Sequence, residues 1–155
     1  MKEARELVHG TSVALGRRAA LLRGESAAGK SDLALRFMAL PGDGEFKTHL
    51  VADDQVLVEA RGDGSLMVSA PETIAGKIEV RGLGIMTVPF LREGRLVLVC
   101  DLVGGEHVPR MPSEPWERTV IAGVPVPVLK LDPFELSAPL KLKMALLLAA
   151  PEQPV

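Results

Sequence analysis

Gly24-Glu25-Ser26-Ala27-Ala28-Gly29-Lys30-Ser31 follows the apolar run Ala19-Ala20-Leu21-Leu22 and leads into Asp32-Leu33-Ala34-Leu35-Arg36-Phe37-Met38. The octapeptide fits G-x-x-x-x-G-K-[ST], a phosphate-binding loop. Each part has a mechanical job. The glycines let backbone N–H groups turn inward around phosphate oxygens, Lys30 reaches toward the outer phosphates, and the Ser31 hydroxyl ligates Mg²⁺. The run before the loop reads as a strand, and the apolar spacing from Ser31 to Met38 reads as a helix. A strand, a glycine loop and a helix N-terminus in sequence favour an anion, because free amides and the helix dipole point the same way. This stretch sets the class as α/β with a phosphate loop.

Outward from the loop, strands outnumber helices. Leu7 to Leu15 and Arg18 to Leu22 read as two strands joined at Gly16-Arg17. Pro41-Gly42-Asp43-Gly44 ends the first helix. His49 to Ala52 is a strand that delivers Asp53-Asp54 at its end. Gln55 to Ala60 and Leu66 to Ser69 form a hairpin around Arg61-Gly62-Asp63-Gly64. Ile78 to Arg81 leads through Gly82-Leu83-Gly84 into Ile85 to Val88, and Arg95 to Val103 is the most apolar strand. The polar, Pro-rich stretch Gly104 to Arg118 reads as a mobile loop. Val124 to Leu129 is a further strand, and Leu140 to Ala149 a C-terminal helix that Pro151 ends. Phosphate-loop proteins usually alternate strand and helix around a parallel sheet. Here hairpins dominate, so the expected architecture is a mixed, largely antiparallel sheet core with few helices.

The composition narrows the partners. The 155 residues carry 47% apolar and 25% charged side chains, which suits one globular domain. A net charge of −2 and 3% aromatics argue against nucleic acid and against a membrane surface as partner. The single cysteine, Cys100, lies inside Leu96-Val97-Leu98-Val99-Cys100 and reads as a buried strand residue, and a cytoplasmic location is expected. The N-terminus Met1-Lys2-Glu3-Ala4-Arg5-Glu6 leads into no long apolar stretch.

Asp53-Asp54 stands 22 positions beyond Ser31 at a strand end. In phosphoryl transfer one such acid helps hold Mg²⁺, and a second can take the proton of an attacking hydroxyl. His9 lies before the first strand pair and is open to a structural or a catalytic role. Glu79 and Arg81 alternate on a strand-like segment and so are expected on one face. A glutamate there suits Mg²⁺, and an arginine suits developing phosphoryl charge.

Four blocks, His9-Gly10, Gly24 to Ser31, Val51-Ala52-Asp53-Asp54 and Ile78 to Ile85, resemble in order and spacing those of the HPr kinase/phosphorylase family. The resemblance covers residues 7 to 103, and more weakly the rest. It implies a phosphoenolpyruvate carboxykinase-like fold and an enzyme that phosphorylates a serine of the phosphocarrier protein HPr of the phosphotransferase system with ATP (or pyrophosphate) and Mg²⁺. It also implies a reverse, phosphorolytic direction and a homohexamer. By that resemblance Gly24, Glu25, Ser26, Ala27, Ala28, Gly29, Lys30 and Ser31 hold the nucleotide phosphates, and Lys30 also takes part in catalysis. Ser31, Asp53 and Glu79 form the metal set. Asp54 is the base, His9 orients it, and Arg81 binds a phosphoryl group. The segment Gly104 to Arg118 corresponds to a flexible loop before the helix that touches the partner protein. The chain reads as residues 1–155 of one catalytic domain, without the N-terminal regulatory domain of longer members.

Two departures bear on this. Ala27 stands where many members have glycine, and it fits without strain only at negative φ. Leu129 to Glu135 lacks the arginine of the usual basic segment, which leaves the reverse direction open. Two other readings stay open beside the HPr kinase: a nucleotide-binding regulatory module without turnover, and a kinase for another acceptor.

Overall fold

The computed structural model describes residues 4–25, 27–42 and 46–149. Ser26 of the loop, Asp43-Gly44 at the expected helix end, Pro151 and Met1 to Glu3 lie outside the described residues. In chain order the strands are β1 (Arg5–His9), β2 (Thr11–Leu15), β3 (Arg18–Arg23), β4 (Thr48–Ala52), β5 (Gln55–Ala60), β6 (Leu66–Ser69), β7 (Lys77–Val80), β8 (Gly84–Thr87), β9 (Gly94–Leu102), β10 (Arg118–Ile121) and β11 (Val124–Leu131). The helices are α1 (Lys30–Met38) and α2 (Ala138–Ala149), and two short 3₁₀ turns, Glu72–Ile74 and Gly105–His107, follow β6 and β9.

Nine strands form one sheet in the order β1-β5-β6-β9-β3-β2-β4, with β11 on the far half of the β9 edge that β6 occupies, and β10 on β11. Among the described residues only β3–β9 and β9–β11 pair in parallel; the remaining ladders are antiparallel. The expected mixed, largely antiparallel sheet with few helices is therefore the observed one. The hairpin β7–β8 stands apart as a second, two-stranded sheet.

The expected single strand Leu7–Leu15 is two strands broken at Gly10. β1 pairs with β5, and β2 pairs with β4 and β3. Two residues, Asp53 and Asp54, join β4 at one end of the sheet order to β5 near the other. So short a link spans roughly 10 Å, so the sheet must curl until its two ends meet. β2 with β5, and β4 with β6, pack across the curl accordingly. At the corner two long antiparallel strands bend together, and the bend carries His9, Thr11, Asp53 and Asp54.

Curling gives two apolar cores. One lies under the helices: Leu33 and Phe37 of α1 and Leu142 and Leu146 of α2 pack on Leu22, Leu50, Leu98 and Cys100. The other fills the inside of the curl with Leu21, Val51, Val56, Val58, Val68 and Val99. Strand alternation explains the division: successive residues of β3 face opposite sides, as do those of β9 apart from an irregularity that puts both Val97 and Leu98 under the helices.

Smaller differences from the expected elements have local causes. β10 is an unforeseen edge strand, β11 runs two residues further to Leu131, and α2 starts two residues earlier at Ala138. The Asp63-Gly64 turn forms as expected. Hydrogen bonds from the Ser65 hydroxyl and N–H hold the Asp63 carboxyl below its ordinary range. The segment from Gly104 on holds a 3₁₀ turn and covers a cavity of about 290 Å³ against β11 and α2. No helix among the described residues is long and apolar enough to cross a membrane.

Candidate active site

The phosphate loop connects β3 to α1 as the sequence predicts. Arg23, the last residue of β3, grips Asp101 of the neighbouring β9 through two hydrogen bonds of 2.7 and 3.1 Å. That fixes the strand end from which the loop departs. Within the loop the Ala28 N–H donates to the Glu25 carbonyl at 2.9 Å. Gly29 caps α1 at φ +97°, and Leu33 N–H donates back to its carbonyl at 2.9 Å. A side chain at Gly29 is excluded twice: the backbone is left-handed, and a Cβ would lie 3.3 Å from Pro133 and from the Phe134 ring.

Lys30 is buried to 8% exposure, and its ammonium donates to the carbonyls of Gly24 and Glu25, both at 2.8 Å. It is thus held over the loop it belongs to, among the amides of a phosphate cradle. Ala27 departs from the favourable case, because its φ is +67°. The left-handed region costs an L-residue with a Cβ roughly 1–2 kcal/mol, so strain is stored in the loop.

Across from the loop, Asp53 is 7% exposed and fully engaged. Its Oδ1 accepts from the hydroxyls of Thr11 (2.9 Å) and Ser31 (2.8 Å), and its Oδ2 accepts from the Glu79 N–H (3.3 Å). The structure therefore joins Ser31 and Asp53 directly and brings in Glu79 through its backbone. Thr11 is the residue the sequence reading missed. Thr11-Ser12, two adjacent hydroxyls inside an otherwise apolar strand, was the available signal. Both are fully buried, and a buried hydroxyl needs an acceptor.

Asp54 points the other way. Its side chain is 74% exposed, with Oδ1 3.7 Å from Nδ1 of His9. Its backbone sits at φ +71°, and its carbonyl accepts from Gly10 N–H at 3.0 Å. Adjacent carboxylates on the corner thus have separate environments, one sealed against the loop and one open to solvent. Positive φ at both Ala27, in the loop, and Asp54, next to the residue that bonds Ser31, is the kind of cost that clusters at functional sites.

Arg81 lies past the end of β7, in the turn toward β8, so it does not alternate with Glu79 along a strand as expected. Both residues are exposed. The chain must reverse at Arg81-Gly82-Leu83 for β8 to pair back on β7, which takes Arg81 out of the pleat.

No group of three or more His, Cys, Asp or Glu side chains among the described residues is arranged to hold a metal alone. Mg²⁺ takes one or two carboxylates and completes its shell with phosphate oxygens and water. Ser31 Oγ and the Asp53 carboxylate, 2.8 Å apart, suit such a sparse site beside the loop. As arranged, these residues can seat a phosphate chain on the loop, hold a cation at Ser31 and Asp53 and present the Asp54 carboxylate to solvent.

The profile of the HPr Serine kinase C-terminal domain family matches residues 2–92. An HPr kinase/phosphorylase from Geobacillus sp. (strain WCH70) is 31% identical over 142 residues, covering 86% of this chain and 42% of that protein. One from Caldanaerobacter subterraneus subsp. tengcongensis is 41% identical over 85 residues, covering 54% of this chain and 26% of that protein. The chain thus spans less than half the length of these curated relatives. The structure of the Hpr(Ser) kinase/phosphatase from Coxiella burnetii shares the fold, with a TM-score of 0.73 at 23% identity over 90% of this chain and 87% of that one.

Proposed function

This chain belongs to the HPr Serine kinase C-terminal domain family, and on that premise we propose that it transfers the terminal phosphoryl group of ATP to a serine hydroxyl of the phosphocarrier protein HPr. The observation that carries the reading is the hydrogen bond from Ser31 of the phosphate loop to Asp53, with the exposed Asp54–His9 pair on the adjoining residue. Loop amides from Gly24 to Gly29 and the Lys30 ammonium would bind the phosphates. Ser31 and Asp53, with Glu79 close by, would hold Mg²⁺, which when bound neutralises charge between the phosphates. Asp54 would take the serine proton as the hydroxyl oxygen attacks the γ-phosphorus, the bond to the β-phosphate oxygen breaks and ADP leaves, and His9 would orient the Asp54 carboxylate. In the phosphorolytic direction Asp54 would return that proton to the serine oxygen. Arg81, in the turn beyond Glu79, would meet the phosphoryl oxygens from the open side.

The exposed position of Asp54 supports a macromolecular acceptor, because a serine on a folded partner can reach it only from outside. Apolar side chains stand open on the β7–β8 hairpin (Leu83, Ile85) and on the outer face of α2 (Leu140, Met144, Leu148), which supports docking of HPr and assembly into the family's homohexamer. HPr as acceptor also makes the cytoplasm the place of action.

Intact-mass measurement of HPr with this protein and Mg-ATP tests the proposal. One added phosphate is expected, then its removal on excess inorganic phosphate if the reverse direction operates. Asp54→Asn should lower the rate at least a hundredfold, the lower end of what a general base contributes, with ATP binding retained. No mass change with wild type, or transfer at full rate by Asp54→Asn, sinks the assignment.

A further inference from the structure

The phosphate loop has two flanks. On one, β2 and β4 bring Asp53 and Asp54 beside β3. On the other, β9 and β11 run parallel to β3, so all three end at the same edge of the sheet. β11 leads there directly into Asp132-Pro133-Phe134-Glu135. On the nucleotide reading, a phosphate chain whose end faces Asp54 would leave its sugar and base on the side of the loop away from Asp54, toward this second flank.

Phe134 waits on that flank. Its ring carbons Cε1 and Cζ lie 3.3 Å from the position a Cβ on Gly29 would take, so the ring edge rests against the loop itself. Yet the residue is 70% exposed. The other phenylalanines are otherwise occupied: Phe37 is fully buried, Phe46 lies beneath the Arg18 guanidinium, and Phe90 packs against Gly76. The backbone around Phe134 is fixed. Its N–H donates to Asp132 Oδ1 at 2.9 Å. Arg36 of α1 donates to the Pro133 carbonyl and, at 3.4 Å, to the Glu135 carbonyl, while Asp32 holds its Nε at 3.0 Å. The segment is thus clamped to the helix that the loop caps. An aromatic ring on a clamped backbone offers its face with little ordering cost left to meet.

Resting on the nucleotide reading above, we propose that Phe134 is the stacking wall for the base of the bound nucleotide. A ring face accepts any base, and the larger purines gain most from it. Phe134 is then a binding residue that separates nucleotides from bare phosphate chains, which meet only the loop.

Calorimetric titration of the full chain in Mg²⁺ with two probes, ATP and inorganic tripolyphosphate, tests this. Phe134→Ala should weaken ATP about tenfold, the ordinary scale of one lost base stack, and leave tripolyphosphate unchanged. Phe134→Trp should bind ATP as wild type does. Wild type that binds neither probe overturns the nucleotide reading, and this inference with it. Wild type that binds ATP while Phe134→Ala binds it equally well overturns the inference alone and leaves the ring to a protein partner. Loss of both probes in Phe134→Ala also overturns it, since the ring would then be propping the loop.

Discussion

At Asp53 one carboxylate oxygen accepts two hydroxyls, from Thr11 and Ser31, and the other accepts the Glu79 N–H. The same group is therefore a structural hub and, on the proposed reading, a wall of the phosphate site. Asp53→Ala leaves the fully buried Thr11 hydroxyl without its acceptor. An orphaned buried polar group costs about 1–3 kcal/mol, so the variant should lose that much stability in urea denaturation as well as phosphoryl transfer. Lost transfer with unchanged stability would show that Thr11 finds another acceptor. Ala27 offers the opposite sign. With φ at +67° its Cβ is strained, and glycine there escapes the strain. Ala27→Gly should raise stability by about 0.5–1 kcal/mol, the left-handed cost less the extra entropy of glycine in the unfolded chain. A lower midpoint for Ala27→Gly would mean that the methyl group packs well enough to outweigh its backbone.

The elements that the sequence makes legible are those with local causes. The loop and α1 follow from a fixed glycine spacing and an apolar stripe, the Asp63-Gly64 hairpin from its turn residues, and β9 from an unbroken apolar run. The corner is not legible in this way. Leu7 to Leu15 has only the isolated Gly10 to mark a break, and pairing with β5 on one side and β4 on the other makes it. Likewise β10 follows a polar, Pro-rich stretch and exists because β11 offers it an edge. The candidate site divides along the same line. Lys30, Ser31 and Asp53 were readable from spacing, whereas Thr11 acquires its meaning from a residue 42 positions away. Gly10 tests how tightly the corner is built. A Cβ there would lie 2.7 Å from the Leu22 carbonyl oxygen and 3.1 Å from Leu21 Cδ1. Backbone cannot yield as a flexible side chain can. Gly10→Ala should cost about 1–3 kcal/mol, as overpacking does, and should slow transfer by moving His9 and the Gly10–Asp54 hydrogen bond together. Full activity at unchanged stability would show a corner that opens without effect on the site.

Across the whole molecule, the curl of the sheet leaves β9 as its axis, flanked by β3 on one edge and by β6 and β11 on the other. Cys100 sits near the end of that strand in the core beneath the helices, 2% exposed. It also lines the cavity that Val108 to Ser113 cover, so its ionisation reports on how tightly that segment and α2 close over the strand. Burial pushes the thiol from its ordinary 9.0 up to about 12, with the Asp101 charge adding to the effect. The folded state therefore keeps the proton while the unfolded chain releases it above pH 9. A group whose folded value is raised stabilises fully below the unfolded value and loses that contribution as pH rises toward the folded one. The window is thus pH 9 to 12. Between pH 8 and pH 10.5 the wild-type chain should lose about 2 kcal/mol of unfolding free energy through this thiol, at roughly 1.4 kcal/mol per pH unit beyond 9. Cys100→Ala lowers stability by a constant amount through the small cavity it leaves, but it lacks the slope. Urea unfolding of both proteins at the two pH values separates offset from slope, because every other titrating group contributes equally to each. Equal losses in the two proteins would mean that the folded protein lets the Cys100 thiolate reach solvent through the cavity it lines.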